Sequence, residues 1–146
     1  MNPSPPQVTS PARLRVIALA LIGGPVVFAA VAAVLLSQGL MRDVARVGPM
    51  IGIALTAVAV VNLVVAFPVR TALFRRTGAA EGDERLRRYG VATLVFFAML
   101  ESVMLLGVLA WFLTHDPVPG VVVAVLGFAV AVCSLPDDEQ LESLGL

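Results

Sequence analysis

One carboxylic acid, Glu101, stands alone within residues 91–113, a run that carries no other charge. An ionisable group at such depth in hydrocarbon costs about 2.5–3.5 kcal/mol on insertion scales and is kept where something compensates. The neutral form of a carboxyl is the cheaper one there, so the chemistry open to Glu101 is hydrogen bonding or the loading and release of a proton or cation. Asn62 and Thr56 on the preceding span lie within about a turn of its depth, and Ser102 is its neighbour. These four residues form the candidate ion-binding or intramembrane polar set.

His115 and Asp116 are a further adjacent pair whose residue types could ligate a metal or act as acid and base. The chain holds one histidine, and an imidazole with a single carboxylate falls short of the three or four protein ligands of ordinary metal sites. No metal is expected, and the pair reads as a solvated turn over residues 114–119. Cys133 is the only cysteine, so it has no disulfide partner in the chain. Nothing resembles a nucleophile with its base, a phosphate-cradling glycine loop or a nucleic-acid surface. Neither an enzyme nor a cofactor is expected.

The elements that must position Glu101 are membrane helices. Of 146 residues, 59% are hydrophobic and 14% charged, and the mean hydropathy is +0.96, too apolar for a water-soluble domain. Four apolar runs, each ~27–35 Å long as a helix, match a hydrocarbon core of about 30 Å. They place spans at about 14–37, 47–69, 90–114 and 118–135. Residues 13–136 are thus expected to form an all-α polytopic membrane domain, four transmembrane helices as two antiparallel hairpins.

Arginine placement orients this domain. Arg13 and Arg15 precede the first span, and Arg70, Arg75, Arg76, Arg85, Arg87 and Arg88 lie between the second and third, against Arg42 and Arg46 between the first and second. The positive-inside rule puts both termini and the central segment, residues 70–90, on the cytoplasmic side of a bacterial-type inner (plasma) membrane. The segment reads first as a topology signal, and docking of a partner or of anionic headgroups is its functional reading. Tyr89 and Trp111, ~33 Å apart along a helix, are expected one at each interface of the third span.

Residues 1–12 hold four of the ten prolines among polar neighbours and are expected to be a disordered tail. Residues 137–146 form an acidic tail, expected to be solvated, with attraction to the arginine segment or to a basic partner as its alternatives. Gly23, Gly24 and Pro25 should bend the first helix or admit a close neighbour. Gly23, Gly24 and Gly107 are accordingly the candidate packing positions. The second span is expected to end at Pro68, and Asp83 to cap a helix that continues into the third. Sliding the first span by 78 positions sets Gly23 and Gly24 opposite Glu101 and Ser102, the pattern of an internal repeat.

The stretch Ala98-Met99-Leu100-Glu101-Ser102-Val103-Met104-Leu105-Leu106-Gly107-Val108-Leu109 resembles the carboxylate helix of the proteolipid, or c, subunits of rotary ATP synthases, in which an acid is followed six positions later by glycine and an apolar run. The likeness covers residues 91–117, is local to this helix, and identifies no family for the whole chain. It implies Glu101 as a proton- or sodium-binding carboxyl and Gly107 as a packing position.

The expected role is that of a small non-enzymatic integral membrane protein acting through helix–helix contacts, as an accessory or assembly subunit. Its expected partners are membrane lipids and either further copies of itself or another membrane subunit, with no nucleic acid. Proton or sodium translocation through Glu101 is the alternative. Binding of a lipid or small hydrophobic ligand between the two hairpins, supported by the Gly23-Gly24-Pro25 break, is a third reading.

Overall fold

The computed structural model describes residues 11–39, 48–78 and 82–135 and contains four helices there: α1 (Pro11–Ser37), α2 (Pro49–Thr77), α3 (Gly82–Thr114) and α4 (Gly120–Cys133). The fold is all-helical, and α1, α2 and α3 are each long and apolar enough to cross a membrane. The fourth helix is shorter than the expected span, with 14 residues and a length of ~21 Å. The expected tails lie outside the described residues, except that residues 11 and 12 already belong to α1.

Local chemistry sets where these helices begin and end. Pro49 opens α2 at a position where a missing N–H costs nothing. The helix then passes through Pro68, the expected end of the second span, and continues to Thr77. In lipid no water takes over released backbone groups, so helical geometry persists around an internal proline. Segment 70–90 is therefore two helical extensions joined across residues 78–81. Asp83 falls inside the first turn of α3, and its side chain lies outside the described residues. At the far end of α3, His115 adopts a left-handed φ of 61° while its N–H still donates to the Trp111 carbonyl at 2.8 Å. Asp116 Oδ1 then accepts the Val118 N–H at 3.0 Å, which closes the turn toward α4.

The hub of the bundle is α3. Half of its apolar stretch is buried (50%), against 17% for α1 and 22% for α2. It packs on every other helix, whereas α1 barely touches α2, its neighbour in sequence. Contacts along α3 give the directions. Leu14 meets Tyr89, and Ala32 meets Val108, so α1 runs parallel to α3. Asn62 meets Ser102 and Phe74 meets Tyr89, so α2 runs antiparallel. Gly120 meets Gly107 and Gly127 meets Val103, so α4 is antiparallel as well.

Small residues make these seams. Buried Gly52, Thr56, Ala59 and Ala66 recur along α2 at intervals compatible with a heptad seam, and Gly120, Ala124, Gly127 and Ala131 do the same on α4. In lipid, association depends on close backbone approach and not on expelling water, which favours such residues. Ala18, Ile22, Ala66 and Ala131 converge on Phe96, Phe97 and Leu100 of the hub. Large apolar side chains such as Val27, Val64 and Val125 point outward. Tyr89 differs from expectation: at 2% exposure it is enclosed by Leu14 and by Phe74, whose ring meets it edge-on at 5.4 Å. Trp111 is half-buried against the cluster of Ala32 and Val108.

Candidate intramembrane polar site

Ser102 and Glu101 are consecutive, so they project about 100° apart around α3 and meet different neighbours. The Ser102 hydroxyl donates to the Met99 carbonyl at 2.7 Å and accepts from Asn62 Nδ2 at 3.2 Å. That second bond ties α2 to α3. Glu101 turns toward α1, where its Oε1 lies 3.5 Å from the point a Cβ on Gly24 would occupy. A glycine there leaves the carboxyl its space.

Thr56 is not joined to either group. It is buried on α2, and its hydroxyl donates to its own helix, to the Gly52 carbonyl at 2.8 Å. It lines the cleft shared by Gly52, Ala110 and Thr114, toward the far end of α3. Of the four residues in the polar set, the fold therefore brings Asn62 and Ser102 into contact, sets Glu101 on a second face, and leaves Thr56 at a third place.

Glu101 is half-buried, and its carboxyl has no hydrogen bond or ion pair among the described residues. Pro25, inside α1, has no N–H, so the Leu21 carbonyl one turn earlier lacks its donor. Leu21 packs on the cluster that contains Leu100, which brings this gap in the α1 ladder near the level of the carboxyl. Gly23 stands on the open side, where a Cβ would meet nothing within 4 Å. Gly107 serves another contact: a Cβ on it would lie 2.5 Å from the Gly120 carbonyl oxygen and 3.0 Å from the Ala124 Cβ.

Met104 and Val108 follow Glu101 on the same face of α3 and form the floor of an apolar groove of ≈ 190 Å³. Pro25 and Ala29 of α1 wall it on one side, and Ala124 and Phe128 of α4 on the other. Glu101 lies one turn beyond this floor, on the side toward the arginine-bearing end of the helix. The arrangement offers an apolar trough that leads to a single carboxyl, with a glycine strip beside it. Hydrogen bonding to another helix or holding a small cation lies within its chemistry.

Two features of the packing escape a reading by residue type. Thr93 is buried at 5% exposure with no partner for Oγ1 among the described residues; a threonine in a helix is usually satisfied by its own backbone, so nothing in its neighbours marks it. Gly120 matters through the register of α4 on α3, and the small residues at 120, 124, 127 and 131 are the signal that reveals that seam. His115 is half-buried and Asp116 exposed in the turn. No group of three or more His, Cys, Asp or Glu gathers for a metal among the described residues. Cys133 is exposed.

No protein-family model, curated protein or solved structure matches this chain.

Proposed function

We propose that this chain is a non-enzymatic multi-pass membrane protein that works by binding another membrane helix, as an accessory or assembly subunit or as one copy in a homo-oligomer. Glu101 is the polar anchor of that contact. The observation that carries this reading is the place of its carboxyl: mid-helix, half-buried, unpaired among the described residues, and at the end of an apolar groove between α1 and α4. Gly23, with nothing within 4 Å of its Cβ position, leaves bare backbone on α1 where a second backbone can come close. A helix seated there supplies the bond Glu101 lacks, worth ~0.6–2 kcal/mol, enough to select a partner without transport.

In this reading all four helices lie in the bilayer, α4 as a short fourth one, in two antiparallel pairs along the sequence. Both termini share the cytoplasmic side with the α2–α3 turn. The alternating directions of α2, α3 and α4 and the arginines at the α2–α3 end support it. The test is the size of the complex in mild detergent, with co-purifying proteins identified, for the native chain, Glu101→Gln and Glu101→Leu. Glu101→Gln keeps a hydrogen-bonding group and holds the complex. Glu101→Leu weakens association roughly 3- to 30-fold, and an unchanged complex in that variant would sink the reading.

One observation favours a second reading, proton or sodium translocation. A carboxylate near the level of a backbone carbonyl released by Pro25 supplies the oxygen ligands that broken membrane helices offer to such ions. Here Glu101→Gln abolishes proton or sodium flux into vesicles while assembly stays intact.

A further inference from the structure

The last turns of α2 and the first of α3 gather arginines at the end of the bundle far from the apolar groove. Arg70, Arg75, Arg76, Arg85, Arg87 and Arg88 lie there, with Glu84 as the carboxylate among the described side chains. Both oxygens of Glu84 are engaged. Arg87 donates Nε and Nη2 to them at 2.8 and 3.0 Å, and Arg88 donates Nε at 2.7 Å. Arg88 Nη1 also donates to the Arg76 carbonyl at 3.2 Å, in the last turn of α2. One carboxylate thus braces two guanidinium groups, and one of these ties the two helices together.

Between them lies a cleft of ≈ 440 Å³ lined by Arg76, Glu84, Arg87 and Arg88, with Leu73 and Val91 along its apolar edge. Three guanidinium groups facing one carboxylate leave an excess of positive charge. The Arg76 side chain makes no ion pair or hydrogen bond among the described residues. Val91 is exposed and opens the apolar run of α3, so the cleft sits where hydrocarbon gives way to headgroups.

We propose that this cleft binds the phosphodiester of an anionic phospholipid, an inference that rests on α2 and α3 being membrane helices. The guanidinium fork matches paired phosphate oxygens. Glu84 holds Arg87 and Arg88 in place in advance, which lowers the ordering cost of binding. The edge of Leu73 and Val91 leads the acyl chains down the outside of the bundle. Two neighbouring arginines do not contribute. The guanidinium of Arg70 lies over the rings of Phe96 and Phe74, 4.6 and 5.5 Å from their centroids, and Arg75 lines a separate groove with Phe67 and Thr71.

Arg75 is therefore the control for Arg76: the same charge, one residue away, outside the cleft. The full-length protein is placed in nanodiscs of equal parts phosphatidylglycerol and phosphatidylcholine, and retained lipids are counted by native mass spectrometry. Arg76→Gln and Arg87→Gln are expected to lower retention of phosphatidylglycerol roughly tenfold, as for loss of a charge-assisted hydrogen bond. Arg75→Gln lowers it by no more than about five-fold, the effect of a surface charge near the headgroups. Glu101→Leu leaves retention unchanged, which keeps this test separate from partner binding.

Equal losses in Arg75→Gln and Arg76→Gln would overturn the proposal, because the membrane would then be sensing net charge alone. So would competition by inorganic phosphate, which would mark a soluble anion as the occupant. A chain ending at Leu135 keeps native retention; a several-fold gain would show that the acidic tail holds the cleft in the intact protein, and would overturn it too.

Discussion

Gly107 and Gly120 put the backbones of α3 and α4 in direct contact: a Cβ added to either would stand 2.5 Å from the carbonyl oxygen of the other. The obstacle is backbone on both sides, which has no rotamer to change. Gly107→Ala and Gly120→Ala are each expected to destabilise the bundle by about 1–3 kcal/mol, the usual cost of overpacking. Gly127→Ala should cost less, because the atoms it meets at 3.1 and 3.2 Å are the Val103 and Met104 side chains. Gly23→Ala, with open space around it, should be neutral or gain up to about 1 kcal/mol from helix propensity. Reversible unfolding in mixed detergent micelles measures all four.

Asn62 and Ser102 form a neutral hydrogen bond between α2 and α3. A double-mutant cycle with Asn62→Leu and Ser102→Ala should return a coupling of about 0.6 kcal/mol and no more than about 1.7, as for other polar pairs between membrane helices. Coupling of Asn62→Leu to Glu101→Leu should be near zero, since Asn62 of α2 meets α3 at Ser102 whereas Glu101 turns toward Gly24 of α1.

An apolar carbodiimide should modify Glu101, which is half-buried and unpaired among the described residues. Gly24→Leu is expected to suppress the reaction by filling the space now 3.5 Å from Oε1. Asn62→Leu should leave its rate unchanged. Mass spectrometry of the labelled peptide reads both outcomes.

Reporter fusions test the topology. A cytoplasm-active reporter after Leu135 and one inserted after Gly78 should both be active, and one at Asp116 inactive. Activity at Asp116 would reverse the orientation.

His115 holds a φ of 61°, where an L side chain costs roughly 1–2 kcal/mol and glycine nothing. Part of that saving is returned as extra freedom of the unfolded glycine, about 0.5–1 kcal/mol. His115→Gly should therefore raise thermal stability slightly and leave partner association unaltered.

The helices themselves were legible because hydropathy marks apolar runs, three of which carry helices long and apolar enough to cross a membrane; their ends were not, since α2 and α3 extend beyond their runs and α4 is shorter than its own. Pro68 misled because its effect depends on solvent, and the helix around it continues to Thr77. Packing was harder to see. The spans are apolar on all sides, so nothing in their pattern tells α1 to rest on α3 and not on α2. Glu101 stood out by its type, while its neighbour Gly24 became visible only through the parallel register of α1 and α3, which brings residues far apart in sequence to one level. Tyr89 carried the signature of an interfacial ring, yet α1 and α2 converge on it and close it in.

The shortness of α4 reaches beyond the protein. Its ~21 Å is several ångströms less than the roughly 30 Å of an average hydrocarbon core, and Val122, Val125, Leu126 and Val132 are exposed along it. On the proposed topology, with α4 in the bilayer, lipid on that flank would dimple inward to keep those side chains covered, at a cost of fractions of a kcal/mol per ångström. Such a deformation would be one-sided, so that topology carries least strain in thin bilayers or beside other proteins that pinch the membrane in the same way.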